Sequence, residues 1–130
     1  MADWKRLRAT AVVVREGRVL LVKDRRGRSF SLPGGGVKRG EPTIGAAARE
    51  LHEELGLRVT KIERLRGSDF RGKFSKHKVC LVVEFEGQPH IRGRELNKFM
   101  WWDMNEHVPI FAHVAFILGA LDRLGKLDRH

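Results

Sequence analysis

Gly35 to Leu57 reads GGVKRGEPTIGAAARELHEELGL, and the fold is decided by how this stretch is read. Pro42 suits the first turn of a helix and Gly56 its C-terminal stop, so the spacing predicts a helix from about Pro42 to Leu55. At about 100° per residue, Ile44, Ala47, Ala48, Leu51 and Leu55 form an apolar stripe for a core. Glu50, Glu53 and Glu54 stand at i, i+3 and i+4, so their carboxylates share a neighbouring face.

That acidic face sits badly for stability alone. Three carboxylates in the C-terminal half oppose the helix dipole, at roughly 0.3–1 kcal/mol each. Like-charge pairs at this spacing add roughly 0.2–0.5 kcal/mol each. The spacing allows two readings: a solvated acidic face, or a divalent cation site whose oxygen-only ligands suit Mg²⁺ or Mn²⁺.

The same stretch resembles the signature of the Nudix hydrolases, G-x5-E-x7-R-E-U-x-E-E-x-G-U with U a bulky aliphatic residue. Gly35, Glu41, Arg49, Glu50, Leu51, Glu53, Glu54, Gly56 and Leu57 fill every specified position without departure. The resemblance implies an α/β/α sandwich on a mixed β-sheet and Mg²⁺-dependent hydrolysis of a phosphoanhydride bond. It implies Glu50, Glu53 and Glu54 as Mg²⁺ ligands, with Mn²⁺ as a substitute, and the Gly34 carbonyl as a further ligand. Arg49 would orient a glutamate through its planar fork, and Glu41 would steady the loop and the helix start. The general base would be a glutamate of the signature, such as Glu53, or Glu95 from a later loop, with Glu84 and Glu86 as rivals.

Outside the signature, 130 residues with 42% apolar content predict one α/β domain spanning 1–130. No apolar run reaches membrane-spanning length, and MADWKRLRAT lacks the apolar core of a signal peptide. The single Cys80 cannot form an internal disulfide, which points to a reducing cytoplasm, and it reads as a buried small hydrophobe. The formal net charge is +10, with basic residues clustered in the segments around Arg25, Lys38, Lys73–Lys78 and Arg92. Such a field draws in polyanions, so Arg25, Lys38, Lys73 and Lys76 are candidate substrate contacts.

ATAVVV and RVLLVKD around Glu16-Gly17 predict a β-hairpin over Arg8–Asp24, covered on both faces. Phe30 to Leu32 reads as a short strand stopped by Pro33, and Gly34 to Gly36 as a sharp turn or close approach. Strands are expected over Leu57–Phe70, Val79–Phe85 and Lys98–Asp103, with a basic loop at Arg71–Lys76. Pro109–Leu124 reads as a second helix, in which His113 is a surface or satisfied histidine. Trp101 and Trp102 face opposite ways on a strand, leaving Trp101 as the candidate to stack on a nucleobase.

Substrate class is narrowed by the residues beyond the signature. The proline typical of ADP-ribose hydrolases is absent from SDFRGKF, the chain has no Tyr for the dinucleoside polyphosphate type, and the NADH hydrolase signature is missing. The nucleoside triphosphate pyrophosphatase type is favoured. A diphosphoinositol or dinucleoside polyphosphate hydrolase and an RNA 5′-end pyrophosphohydrolase are the alternatives. The contrasting class is a nucleotide- or RNA-binding module without catalysis. The partner is a small phosphorylated substrate or an RNA 5′ end, no membrane, with monomer and homodimer both open.

Overall fold

The computed structural model describes residues 6–127, so half of the MADWKRLRAT segment lies outside the described residues. In chain order the elements are β1 (Arg6–Arg15), β2 (Arg18–Asp24), β3 (Gly34–Gly36), α1 (Thr43–Leu55), β4 (Arg58–Arg64), β5 (Phe70–Arg71), β6 (Ser75–Glu86), β7 (Leu96–Trp102) and α2 (Ala112–Arg123). The described strands join in one mixed sheet of order β4-β6-β1-β2-β7, with β3 beside β1 and β5 beside β6. Only β1 and β6 run parallel; the other pairs are antiparallel.

Strand alternation divides the core into two layers. Ala9, Ala11 and Val13 of β1, Leu20 and Val22 of β2, and Cys80 and Val82 of β6 meet Ala46, Ala47, Leu51 and Leu55 of α1. Val12, Val19, Leu21 and Val79 face the other way, onto Val114, Ile117, Leu118 and Leu121 of α2. Both sheet faces are therefore covered, which is why the runs in β1 and β2 are apolar without a break. The result is the α/β/α sandwich. Among the described residues no helix is long and apolar enough to cross a membrane.

Several expectations hold in detail. Glu16 and Gly17 both adopt positive φ, 53° and 75°, as a tight hairpin turn requires. Gly56 ends α1 in the left-handed region at φ 70°. Cys80 is buried, and its thiol is pushed up to about 11 by burial. Trp101 joins the α1 layer and Trp102 the α2 layer.

Others are corrected. In α1 the buried face holds Ala46 in place of Ile44, which is 40% exposed in the opening turn. Gly34–Gly36 is a strand against β1 rather than a turn, while Phe30 and Ser31 make only isolated bridges. The strand expected over Leu57–Phe70 ends at Arg64. There Asp69 takes both Nη atoms of Arg64, at 2.7 and 2.8 Å, and the Val79 N–H at 2.9 Å. Those bonds close a turn where an extended strand would have continued. Arg71–Lys76 is not an open loop either, because β5 and β6 pair across it with Phe70 opposite His77 and Arg71 opposite Lys76.

His113 is buried and satisfied rather than on the surface. Its Nε2 accepts the Leu32 N–H at 3.3 Å, and its ring stacks on His77 at 4.2 Å between centroids. His77 shares a 2.8 Å hydrogen bond with the Thr10 hydroxyl. Burial holds both rings neutral, with pKa values lowered to about 4 for His77 and about 3 for His113, the latter also opposed by His77.

Candidate active site

The site grows from the contact between β3 and α1. A side chain at Gly35 would overlap the Glu50 carboxylate, and one at Gly34, where φ is +147°, would strike the Ala9 carbonyl. Bare backbone at these positions lets the strand, β1 and the acidic helix face meet at one end of the sheet.

Arg49 locks that face. Its Nε and Nη2 bind the two oxygens of Glu41 at 2.7 and 3.0 Å. Its Nη1 donates to Glu50 Oε1 at 2.8 Å and Glu53 Oε2 at 3.2 Å, and Nη2 also reaches the Gly36 carbonyl at 3.1 Å. The bidentate fork thus goes to Glu41, while Glu50 and Glu53 each receive a single contact. The Arg49 guanidinium, followed by the Lys38 N–H at 3.0 Å, holds the Glu41 carboxyl down at about 2.

The loop before β7 is clipped to the C-terminal end of α1. The Arg92 N–H donates to the Glu54 carbonyl at 2.8 Å and the His90 N–H to the Leu55 carbonyl at 3.1 Å. The Arg92 guanidinium donates to the His52 carbonyl at 3.0 Å. A cation at the carbonyls of the last turn offsets the acidic end of the helix. From the other side, the Arg25 N–H donates to the Glu95 carbonyl at 2.8 Å. Glu95 is thereby fixed beside Glu54.

A cavity of about 440 Å³ lies between these parts. Gly34, Gly35, Glu50, Glu53, Glu54 and Glu95 line it together with Arg6, Arg8, Arg92 and Arg94. Burial, then the charge of Glu50, then the hydrogen bond and charge of Glu95 push the Glu54 carboxyl well above the usual carboxylate range, with Arg8 opposing. A carboxylate so lifted marks an excess of negative charge in a partly dehydrated cavity.

The donor set fits a hard divalent cation. It is oxygen only, it is over-supplied with negative charge, and Arg49 engages just one oxygen each of Glu50 and Glu53. The Gly34 carbonyl accepts Arg8 Nη2 at 3.2 Å and keeps a second lone pair. Among the described residues, no three His, Cys, Asp or Glu side chains already form a closed ligand cluster. The carboxylates are therefore assembled near one another but not drawn into a cage.

The cavity brings together Glu50, Glu53, Glu54, Glu95 and Gly34. Arg49 stands behind them, and Arg25 lines a second, adjoining cavity. Lys38, Lys73, Lys76 and Trp101 are not among the lining residues. Lys38 is exposed and meets Glu41 through its backbone. Lys73 lies on the β5–β6 turn with its amine 5.3 Å from the Phe74 ring, and Lys76 pairs with Leu7 and Arg71.

Trp101 is turned by strand alternation onto the α1 layer, 6.4 Å from the Phe85 ring, with Arg15 packed over both rings. That is the hairpin end of β1, remote from the Arg6–Arg8 end that lines the cavity. Glu84 and Glu86 are exposed on β6 outside the cavity, Glu86 pairing with Arg58 at 3.1 Å. Neither is placed as a rival base.

Sequence reasoning passed over Arg6, Arg8, Asp24 and Ser75. Arg92 and Arg94 stood in a basic cluster, but their place at the site depends on the loop being clipped to α1. Exposed Phe74 does not itself line the cavity. Its chain neighbour Ser75 and its backbone partner Arg6 both line it.

Comparison with known proteins agrees with the fold. The family model for the NUDIX domain matches residues 4–123. A MutT NUDIX hydrolase from Burkholderia pseudomallei superimposes with a TM-score of 0.81 at 27% identity, over 92% of this chain and 99% of that one. A nudix hydrolase family member from Chromobacterium violaceum gives 0.79 at 30% identity, over 95% and 81%. An RNA pyrophosphohydrolase of Francisella tularensis is 39% identical over 66 residues, which cover 48% of this chain and 43% of that protein. The match thus spans less than half the length of that curated relative.

Proposed function

The chain belongs to the Nudix family, and on that premise we propose that it is a Mg²⁺-dependent pyrophosphohydrolase. It cleaves a phosphoanhydride bond in a nucleoside-diphosphate-linked substrate, in the manner of a nucleoside triphosphate pyrophosphatase. One observation carries this reading: a single cavity lined by Glu50, Glu53, Glu54 and Glu95 together with Arg6, Arg8, Arg92 and Arg94. Carboxylates alone would repel a polyphosphate, and arginines alone would only bind it.

Glu50, Glu53 and Glu54, with the Gly34 carbonyl, would hold the ion. When bound, Mg²⁺ or Mn²⁺ supplies neutralisation of charge on the phosphoryl oxygens and acidification of water. The remaining work falls to the chain itself. The arginines grip nonbridging oxygens with paired N–H donors and fix the anhydride in line. Glu95 or Glu53 takes the proton of the attacking water as the new P–O bond forms and the bridging oxygen departs with the leaving phosphate. Arg49, anchored on Glu41, keeps Glu50 and Glu53 turned toward the cavity. Trp101 and Trp102 do not line the cavity, and we assign the role of meeting a nucleobase to exposed Phe74, the chain neighbour of the lining residue Ser75.

A second substrate reading, an RNA 5′ end, is favoured by the Francisella relative named for that activity and by the basic surface. We place the protein in the cytoplasm on its single buried cysteine. The test is phosphate release with Mg²⁺ or EDTA over nucleoside triphosphates, dinucleoside polyphosphates, diphosphoinositol phosphates and triphosphorylated RNA. Mg²⁺-dependent release from a nucleotide is the expected result. Tight binding without product from every substrate refutes the enzyme and leaves a binding module.

A further inference from the structure

We propose that the second cavity, beside the reaction site, is a further phosphate subsite. It would receive a phosphate that lies beyond the pair joined by the scissile bond. The inference rests on the pyrophosphohydrolase reading and adds to it a substrate class.

This second cavity also measures about 440 Å³ and is lined by Asp24, Arg25, Arg26, Arg94 and Glu95. Asp24, Arg94 and Glu95 line both cavities, so the two are continuous across that border. The carboxylates lie on the shared border, and the residues belonging to the second cavity alone are arginines. Arg25 and Arg26 are carried on a tight turn, closed by the Gly27 N–H to the Asp24 carbonyl at 3.0 Å and braced by Lys23 Nζ to the Gly27 carbonyl at 3.2 Å. The Arg25 N–H to Glu95 carbonyl bond ties that turn to the loop bearing Arg94. Backbone bonds thus hold three guanidinium groups around one space.

Their lack of partners is the second observation. The arginines that serve the fold are engaged: Arg49 with Glu41, Arg64 with Asp69, Arg58 with Glu86, and Arg92 with the end of α1. Among the described residues, no ion pair and no side-chain hydrogen bond engages Arg25, Arg26 or Arg94. Like charges gathered without a partner are what a polyanion site presents before its ligand arrives. The planar fork of each also suits phosphate oxygens better than a point charge would. The added phosphate could be the next link of a free polyphosphate chain or the first phosphodiester after an RNA 5′-triphosphate. The chemistry is the same in both.

The test compares the parent with an Arg25→Gln/Arg26→Gln variant, altered only on an exposed turn. The substrates are a nucleoside diphosphate, a nucleoside tetraphosphate and a triphosphorylated RNA oligonucleotide, in 150 mM salt. Loss of two charge-assisted contacts raises KM about tenfold for substrates carrying the extra phosphate. The nucleoside diphosphate, which lacks it, moves less than about twofold, and Arg25→Lys/Arg26→Lys, which keeps the charge without the fork, recovers only part of the difference. A rise on RNA alone assigns the phosphodiester as the occupant, and a rise on both assigns phosphate chains in general. An equal rise on all three substrates means long-range attraction only and overturns the subsite, as does no rise at all. If no substrate is turned over, the functional reading has failed. Calorimetric binding of inorganic triphosphate then decides the subsite alone: about tenfold weaker binding by the Gln variant supports it, and equal binding overturns it.

Discussion

Replacing Glu54 with Gln separates the two reasons a protein keeps a carboxylate. Burial, Glu50 and Glu95 all disfavour its charge in the metal-free protein. The amide removes one like-charge helix contact, worth roughly 0.2–0.5 kcal/mol, and one charge at the wrong end of the dipole, worth roughly 0.3–1 kcal/mol. It can also donate to Glu95, which an ionised carboxylate cannot. In EDTA at pH 8 the variant should gain about 1 kcal/mol, or roughly 2–6 °C in Tm for a domain of this size. The pH dependence has a definite sign. An acid whose folded pKa lies above its unfolded value contributes stability that is full below about 4.5 and lost as pH rises through the folded value. The gain from Glu54→Gln should therefore grow with pH above 4.5 and vanish below it. With millimolar Mg²⁺ the parent should gain Tm by linkage and the variant should gain less. Turnover should fall by at least about a hundredfold. Thermal melts with and without EDTA, beside phosphate-release kinetics, measure all of this. A variant that melts below the parent in EDTA and turns over normally in Mg²⁺ refutes the reasoning, because the carboxylate would then be structural.

The other expectations concern separate parts of the molecule. Arg49→Lys cannot reproduce the fork on Glu41 together with the contacts to Glu50 and Glu53, so stability should fall by roughly 1–2 kcal/mol in denaturant melts and turnover should fall with it; an unchanged midpoint would remove the positioning role. His77 and His113 are held neutral when folded, so the unfolded chain takes up protons that the folded one refuses. Each ring should cost up to about 3 kcal/mol of stability as pH falls from 6.5 toward 4, with a flatter profile in His113→Gln. Phe74→Ala should raise KM for a nucleoside triphosphate by roughly tenfold, borrowing the scale of base stacking, while leaving KM for inorganic triphosphate in place. Trp101→Ala should change KM for neither, and the reverse pattern would return the stacking role to the indole.

What could be read from the chain is what local physics determines. Gly56 and Pro42 delimit α1 because a left-handed residue and a missing N–H act where they stand. The two-sided strands follow from unbroken apolar runs, and the three glutamates share a face by spacing alone. Most of the misplacements involve partners that a local pattern does not register. Asp69 ends β4 through its bonds to Arg64 and Val79, which periodicity cannot register. Trp101 lies on the expected strand with the expected alternation, yet its distance from the site depends on which end of β1 the cavity occupies. Lys38, Lys73 and Lys76 carry charge near the signature in sequence without lining the cavity. Arg8 and Arg6 line it because β1 brings its first residues beside β3, a pairing set by glycines more than twenty residues on.

The helix that first looked unfavourable is balanced from outside itself. Its last turn carries only His52 as a basic residue of its own. The missing cation comes from Arg92, whose backbone and guanidinium both bind α1's end. The same segment delivers Glu95, a further negative charge, to the cavity that Glu54 already crowds. One loop therefore both relieves the dipole and raises the charge density at the site. A segment selected for stability alone would do the first without the second. Stabilising the helix through its carbonyls adds no partner to the carboxylates beyond the single Arg49 contacts to Glu50 and Glu53, so charge stays available to a cation. The arginines lining the cavity complete the arrangement, since they attract the polyanion without pairing away the glutamates.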